Sequence, residues 1–309
     1  MPTLLFRSPS DPAGTWSDAL RRRDPGLDVR VWPDTGAVDD IEYALIWASP
    51  DGFLHELPAL RVVFSLGAGV DHLMGAEVPE GVELVRMVDP ALTEGMIEYV
   101  TYQVLRRHRH MADYEHQQAA AEWRIHPQAR PGERRIGLLG LGELGGACAR
   151  TLSGLGFDVA GWARSEYEIP GVESVSGDDG LDWLLGRSDI VICLLPLTGQ
   201  TRGILNGTRF RRMSPGATLI NAARGQHLVE DDLLIALGEG RLGHAVLDAF
   251  RDEPLPLDHA FWRHPHITVT PHIASLTNPE TGAEAVVRGI HADQADQPIP
   301  HRIDRGRGY

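Results

Sequence analysis

The sequence predicts an α/β protein of two domains, each built around a parallel β-sheet. Short apolar runs alternate with helical segments along most of the chain, which is the pattern of parallel sheets covered by helices. A glycine-rich turn joins one such run to a helix within residues 135–164. The chain has 309 residues, a length at which a single hydrophobic core usually gives way to two domains.

The amino-terminal part of the chain predicts a small parallel α/β domain of the flavodoxin-like kind. Helical candidates at 14–23 and 55–60 alternate with short apolar runs, and prolines mark the turns between them. The candidate strands are 3–6, 28–32, 43–47, 62–66 and 83–86. A helical pattern then runs from residue 94 to about residue 124, before a proline-containing segment leads to the second domain.

The second domain opens with a strand, a glycine turn, a helix and another strand. The apolar run 136–139 predicts a buried strand, and Gly140, Gly142 and Gly145 follow it as a G-x-G-x-x-G turn. These glycines allow a tight turn, the close approach of a pyrophosphate and the close packing of the helix on the strand. The N–H groups of the helix N-terminus can bind the phosphates. This pattern predicts a Rossmann dinucleotide-binding domain.

The end of the second strand in this unit indicates which dinucleotide binds. NAD-binding domains usually carry an acidic residue there, bonded to the ribose 2′-hydroxyl. The sequence instead has Ala163, followed by Arg164 and Ser165. Arginine can hold a 2′-phosphate through two parallel charged hydrogen bonds, whereas an acidic group would repel it. The sequence therefore favours NADP, and NAD stays open because Glu166 or Glu168 could reach a ribose.

Composition excludes several classes of function. The formal net charge of −14 argues against nucleic acid or an anionic membrane as a partner. The chain has no lysine, which excludes a lysine Schiff base and a P-loop. Cys148 and Cys193 lie in apolar segments and predict buried thiols in a reducing cytoplasm. No signal peptide or membrane-length apolar span is visible. His259, His264 and His266 share a loop without i, i+4 spacing, so no metal site is predicted.

Three reactive side chains follow predicted strands of the second domain. They are Arg224, Glu253 and His272, which come after the apolar runs 217–221, 243–248 and 267–270. Ligands of such sheets bind at the carboxyl ends of the strands. These three groups fit a proton-coupled hydride transfer. The guanidinium would hold a substrate carboxylate, the imidazole would give or take a proton, and the carboxylate would orient the imidazole. Each residue taken alone is explained at least as well as an ordinary surface or turn residue. Because all three lie at one edge of the sheet beside the nucleotide turn, the interpretation as an active site is favoured for the set.

Successive motifs over nearly the whole chain resemble the D-2-hydroxyacid dehydrogenase family. The motifs are LPLT at 195–198 with Thr201 and Gly203, NAARG at 221–225, LDAF at 247–250, EPLP at 253–256 and PHIA at 271–274. Their order and spacing make the match specific. Three further motifs resemble the bacterial glyoxylate/hydroxypyruvate reductase A branch of that family, namely LGAGVD at 66–71, WARS at 162–165 and DRGRGY at 304–309.

The resemblance implies a function and completes the set of site residues. It implies reduction of a small 2-oxoacid, glyoxylate or hydroxypyruvate, by NADPH in a homodimer formed through the nucleotide domain. Arg224 would bind the substrate carboxylate together with the backbone N–H groups of Ala68 and Gly69, and His272, paired with Glu253, would be the general acid. The residues expected at the cofactor are Gly140, Gly142, Glu143, Leu144, Gly145, Arg164, Ser165, Leu195, Pro196, Thr201, Ala222 and Asp248.

The substrate domain is expected to comprise residues 1–95 and 280–309, and the nucleotide-binding domain residues 96–279. Asp248 is implied to contact the nicotinamide carboxamide. Trp47 is a candidate for lining the substrate pocket, although core packing is the favoured role for a large apolar side chain at the end of a strand. The alternative functions are a dehydrogenase for a longer 2-oxoacid and a non-catalytic dinucleotide sensor on the same fold.

Overall fold

The protein divides into two compact units. The computed structural model describes residues 1–48, 52–74, 78–165 and 167–306. Unit 1 comprises Met1–Leu92 and Leu276–Tyr309, and unit 2 comprises Thr93–Ser275. The sequence placed these boundaries a few residues further along, after residues 95 and 279. No helix within the described ranges combines the length and the apolar character that crossing a membrane requires.

Both units alternate strands with helices. The strands are β1 (Thr3–Arg7), β2 (Asp28–Val31), β3 (Tyr43–Ile46), β4 (Val62–Ser65), β5 (Glu83–Val85), β6 (Arg135–Leu139), β7 (Asp158–Trp162), β8 (Val172–Val175), β9 (Ile190–Cys193), β10 (Ala217–Asn221), β11 (Leu242–Leu247) and β12 (Ile267–Val269). The helices are α1 (Ala13–Arg23), α2 (Pro90–His108), α3 (Met111–Ala119), α4 (Glu143–Gly154), α5 (Gly177–Arg187), α6 (Gly207–Arg212), α7 (Glu230–Gly238) and α8 (Pro279–Gln294).

Unit 1 contains a parallel sheet in the order β2-β1-β3-β4-β5, which is the strand order of flavodoxin-like folds. Helices α1 and α8 cover one face of it. Trp16 of α1 and Ile290 of α8 are fully buried in one core cluster with Phe6 of β1. The carboxyl-terminal helix thus completes the core of the amino-terminal sheet, and the predicted class of the smaller domain is confirmed.

Unit 2 contains a parallel sheet in the order β12-β11-β10-β9-β6-β7-β8. Counted from β6, this is the Rossmann order 3-2-1-4-5-6 with one further strand beyond the sixth. The strand order reverses between β6 and β9, which is where such sheets bind their ligands. The predicted Rossmann fold is confirmed, and the glycine turn after β6 lies at this reversal.

The structure differs from the sequence analysis in five elements, one of which is the helix expected at 55–60, where a short 3₁₀ helix covers Phe53–Glu56 instead. Strand β8 and helices α5 and α6 were not predicted; β8 is only partly buried and α6 has just 6 residues, so both lack a strong apolar pattern. The helix expected at 94–124 is two helices, because His110 adopts a left-handed conformation with φ 58° between α2 and α3. Helix α2 also begins earlier, at Pro90, where Asp89 Oδ1 accepts a hydrogen bond from the N–H of Ala91 at 3.1 Å.

Candidate active site

The glycine turn after β6 has the geometry of a dinucleotide site. Gly140 has φ 100°, and a Cβ there would lie 2.8 Å from the carbonyl oxygen of Leu194. A Cβ on Gly145 would lie 1.9 Å from the carbonyl oxygen of Gly140. By contrast, a Cβ on Gly142 would meet no described atom within 4 Å. Packing therefore requires the outer glycines, whereas Gly142, the N-cap of α4, leaves open space beside the helix N-terminus, as a pyrophosphate needs.

The loop after β9 lies across the reversal point from this turn. Its residues Leu195 and Pro196 follow the strand after one intervening residue, Leu194. The hydroxyl of Thr201 donates to the carbonyl of Pro196 at 2.7 Å and accepts from the N–H of Thr198 at 2.8 Å. Ala222 is nearly buried at the end of β10, the next strand. These bonds fix the shape of a loop that the sequence analysis assigned to the cofactor.

The end of β7 presents a cation and a hydroxyl group. Ala163 is buried there, whereas Arg164 and Ser165 are exposed. Glu168 is also exposed, and Glu166 lies outside the described residues, as do the last three residues of the terminal motif, 307–309. The strand end itself therefore carries no buried acidic side chain among the described residues, consistent with space for a 2′-phosphate.

The predicted acid–base residues come together at the carboxyl ends of β11 and β12. Nδ1 of His272 lies 2.8 Å from Oε2 of Glu253. The other oxygen of Glu253, Oε1, accepts a hydrogen bond from the N–H of Phe250 at 2.8 Å. The side chain of His272 is 29% exposed and that of Glu253 is 37% exposed. Glu253 is thus held by its own loop and holds the imidazole in turn, while the site stays open to a substrate.

Electrostatics keep Glu253 ionised. Burial opposes the charged form, but the hydrogen bonds from His272 and from the N–H of Phe250, with the positive charge of Arg224, outweigh it and hold the pKa of the Glu253 carboxyl below its usual value. An ionised carboxylate can only accept hydrogen bonds, so Nδ1 of His272 is the donor in this pair. Arg224 is therefore close enough to contribute to the charge balance of the pair.

Arg224 follows β10 and is held by a residue that the sequence analysis missed. Its Nη1 donates to the carbonyl of Ala223 at 2.9 Å, and its backbone N–H lies 3.3 Å from Nδ1 of His227. His227 is fully buried, and its Nε2 lies 3.3 Å from the carbonyl oxygen of Pro196. His227 thus links the loop of Arg224 to the loop after β9. A lone histidine in a turn has no motif that could have revealed this role.

In unit 1 the structure brings together the residues assigned there to the substrate. Trp47 follows β3, and a Cβ on Gly67 would lie 2.6 Å from Cζ3 of its indole. The hydroxyl of Ser65 donates to the carbonyl of Gly69 at 3.1 Å and fixes the turn 67–69 after β4. Trp47 also packs against the unit 1 core, as does Ala68. Trp47 therefore both packs and covers the turn that contains Ala68 and Gly69.

Comparison with known proteins settles the family. The model of the D-isomer specific 2-hydroxyacid dehydrogenase NAD-binding domain matches residues 101–274. This chain belongs to the D-isomer specific 2-hydroxyacid dehydrogenase family. The family that the motifs predicted is therefore confirmed. The glyoxylate/hydroxypyruvate reductase A of Serratia proteamaculans (strain 568) is 41% identical over 312 residues, with 99% of both chains covered.

Solved structures of D-2-hydroxyacid dehydrogenases share the fold over the full length. A D-isomer specific 2-hydroxyacid dehydrogenase from Xanthobacter autotrophicus Py2, in complex with NADPH and MES, matches with a TM-score of 0.95 at 38% identity and covers 100% of this chain and 99% of its own. An NADPH-dependent glyoxylate/hydroxypyruvate reductase from Sinorhizobium meliloti, in complex with NADP and sulfate, has a TM-score of 0.95 at 37% identity, with 100% of both chains covered.

A cluster of potential metal ligands lies apart from the motifs of the dehydrogenase family. Nitrogen and oxygen atoms of His110, Asp113 and His126 lie within 4.8 Å of one another. Nδ1 of His110 is 3.0 Å from Oδ2 of Asp113, and the two imidazoles stack with an interplanar angle of 12° and centroids 5.0 Å apart. Stacked rings keep their in-plane lone pairs in separate parallel planes. The described contacts of this cluster are therefore a hydrogen bond between His110 and Asp113 and a ring stack between His110 and His126.

Proposed function

We propose that this chain is an NADPH-dependent reductase of small 2-oxoacids, with glyoxylate or hydroxypyruvate as its substrate. The observation that carries the proposal is the 2.8 Å bond between His272 and Glu253, in the same unit as Arg224 and the glycine turn. Relatives in Serratia proteamaculans and Yersinia enterocolitica, 41% and 39% identical, are named glyoxylate/hydroxypyruvate reductase A. The chemistry of the side chains and the names of the relatives thus agree.

The dinucleotide would bind at the carboxyl edge of the unit 2 sheet. The N–H groups at the start of α4, beside Gly142, would hold its pyrophosphate, and Arg164 and Ser165 its 2′-phosphate. The solved relatives from Xanthobacter and Sinorhizobium contain NADPH and NADP, which supports NADP as the cofactor, as Ala163 and Arg164 predict. NADPH, when bound, supplies the hydride.

The side chains of unit 2 would bind the acid and move the proton. Arg224 would hold the substrate carboxylate through two parallel hydrogen bonds, which fix the orientation of the 2-oxo group. Nδ1–H of His272 donates to Glu253, so Nε2 is the nitrogen that would give a proton to the developing alkoxide. The ionised Glu253 stabilises the imidazolium before transfer and keeps its ring oriented afterwards.

Unit 1 is proposed as the substrate domain and unit 2 as the nucleotide-binding domain. Within unit 1 we propose Ala68, Gly69 and Trp47 as substrate-binding residues, the first two through their backbone N–H groups and Trp47 through its indole. A large indole that covers the turn favours a short acid, because a longer chain needs room that a smaller residue would leave. Trp47→Ala is therefore expected to raise the ratio of activity on longer 2-oxoacids to activity on glyoxylate.

A homodimer formed through unit 2 is also proposed. Large apolar side chains lie exposed on one stretch of the chain, 102–125. They are Tyr102, Leu105, Met111, Trp123 and Ile125, of which Trp123 is 98% and Ile125 81% exposed. Such a concentration of apolar surface is typical of protein–protein contacts. Trp123→Ser combined with Ile125→Ser should shift the mass in light scattering from dimer to monomer, whereas Leu257→Ser, at a 94% exposed residue elsewhere, should not.

A reducing cytoplasm is the proposed location. Cys148 and Cys193 are both free and buried, and burial raises the pKa of each thiol to about 12. Thiols kept free in this way are usual in proteins of reducing compartments. Fractionation of cells that express the protein, followed by immunoblotting, tests the proposal, and recovery in an oxidising compartment would contradict it.

Steady-state kinetics test the proposed function directly. Oxidation of NADPH and of NADH would be followed by the loss of absorbance of the reduced nicotinamide. Each nucleotide would be tested with glyoxylate and with hydroxypyruvate. Preference for NADPH with either acid is expected. Preference for NADH would contradict the role of Arg164 and leave the acid–base pair intact. Nucleotide binding without turnover would favour a longer 2-oxoacid and, if those also fail, a dinucleotide sensor.

A further inference from the structure

A chain of partly buried hydrogen bonds leads from helix α2 to the loop that carries His272. Oη of Tyr99 lies 2.7 Å from Oγ1 of Thr270, and Oγ1 of Thr270 donates to Oδ1 of Asp248 at 2.6 Å. The carboxylate of Asp248 can only accept, so the single hydroxyl proton of Thr270 points at it, and Tyr99 must be the donor to Thr270. Burial raises the pKa of Tyr99 above its usual value, which keeps this donor protonated.

Asp248 in turn holds the backbone on which His272 lies. Its Oδ1 accepts from the N–H of Ile273 at 2.9 Å and its Oδ2 from the N–H of Ala274 at 2.8 Å. Its backbone carbonyl accepts from the N–H of His272 at 2.8 Å. Three successive N–H groups after Pro271 therefore bond to one residue, which is 1% exposed.

His272 needs such an anchor because its backbone is in an unfavourable region. Its φ is 53°, a left-handed conformation that residues with a side chain adopt only when their surroundings hold them there. The direction of the imidazole towards Glu253 depends on this conformation. A loop free to relax to negative φ would turn the ring away from its partner.

We propose that Tyr99 and Thr270 are positioning residues that lock Asp248 and its loop, and thereby hold the His272 imidazole at Glu253 for proton transfer. The inference rests on the proposed function, since it assigns these residues to that proton transfer. Neither hydroxyl is placed at the substrate or the nucleotide. They act through Asp248 on the His272 loop, so their loss should slow the proton transfer more than it weakens the binding of NADPH, of which Asp248 is expected to contact only the carboxamide.

The kinetic test removes each hydroxyl group with little change in shape. Tyr99→Phe and Thr270→Val are expected to lower kcat about 10- to 100-fold, the usual effect of misplacing a catalytic group, with a much smaller change in KM for the 2-oxoacid and in Kd for NADPH. Thr270→Ser keeps the hydroxyl group and should restore most of kcat. Variants Tyr99→Phe and Thr270→Val with the kcat of the wild type would overturn the proposal.

A matched control separates positioning from general stability. Tyr43 in unit 1 is buried, and its hydroxyl group likewise donates a hydrogen bond to a polar partner, Oδ2 of Asp293, at 2.7 Å. Tyr43→Phe should lower Tm about as much as Tyr99→Phe does but leave kcat unchanged. An equal fall in kcat for both variants would show a structural effect only, and would overturn the positioning role.

A second measurement does not depend on turnover. Hydrogen exchange of the substrate-free protein should show faster exchange at Ile273 and Ala274 in Tyr99→Phe than in the wild type, with the strands β9 and β10 unchanged. Unchanged exchange at both amides would overturn the anchor. If the wild type reduces no 2-oxoacid, the proposed function fails, and the exchange measurement alone decides whether the anchor exists.

Discussion

A Cβ atom on Gly145 would lie 1.9 Å from the carbonyl oxygen of Gly140, far below the shortest distance that two non-bonded atoms adopt. Gly145→Ala is therefore expected to destabilise the fold by about 1–3 kcal/mol, the usual cost of overpacking. Thermal unfolding measures this cost as a lower Tm. Gly142→Ala is the matched variant, because its Cβ would meet no described atom within 4 Å.

Gly142→Ala should keep the Tm of the wild type but weaken NADPH binding, because its methyl group would enter the space proposed for the pyrophosphate. Fluorescence titration with NADPH measures the affinity. The pair of variants thus separates a glycine that the fold requires from one that the ligand requires. A wild-type affinity in Gly142→Ala would place the pyrophosphate elsewhere.

The acid–base assignment predicts a large kinetic effect at His272. His272→Ala should lower kcat about 10²- to 10⁴-fold, the usual contribution of a general acid, with NADPH affinity retained. Glu253→Gln keeps a hydrogen-bond acceptor for Nδ1 but removes the negative charge that stabilises the imidazolium, so a smaller loss is expected. A His272→Ala protein with nearly normal kcat would exclude this residue as the general acid.

The cofactor assignment predicts a selective effect at Arg164. Arg164→Ala should raise KM for NADPH and leave KM for NADH almost unchanged, because NADH lacks the 2′-phosphate that the guanidinium would bind. Arg130→Ala is a suitable control, since its side chain is 85% exposed and pairs with Glu133 at 3.4 Å. Equal losses with both nucleotides would contradict a 2′-phosphate site at Arg164.

The sequence predicted those parts of the fold and site that depend on local pattern. Buried strands such as β6 and β9 are continuous apolar runs, and the turn at Gly140 is part of a glycine motif, so the sequence alone predicts both. The partly exposed strand β8 has no such run. The break at His110 depends on a single left-handed residue that no neighbouring proline or glycine signals.

Residues that act through distant contacts were beyond the sequence. His227 matters because it bridges the loops of Arg224 and Pro196, and Tyr99 because it reaches Thr270, 171 positions along the chain. Neither belongs to a pattern of spacing or composition. Their significance arises only when the sheet brings strand ends together, so tertiary structure is needed to find them.

The last prediction concerns the pH dependence of stability. His244 on β11 is 7% exposed, and its Nε2 lies 2.9 Å from Oγ1 of Thr268. Burial first, and then the positive charges of Arg107 and Arg106, lower the pKa of His244 from 6.5 to about 4. The unfolded chain thus binds a proton at this histidine near pH 6.5, whereas the folded chain does so only near pH 4.

His244 should therefore cost stability as the pH falls from about 6.5 to about 4, because the unfolded state binds more protons throughout that window. Between pH 7.5 and pH 5 the loss from this group is about 2 kcal/mol, at 1.36 kcal/mol for each pKa unit. Urea unfolding at both pH values measures it. His244→Gln, which cannot be protonated, should lose about 2 kcal/mol less than the wild type over the same interval. Equal losses in the two proteins would mean that His244 is protonated in the folded state at pH 5.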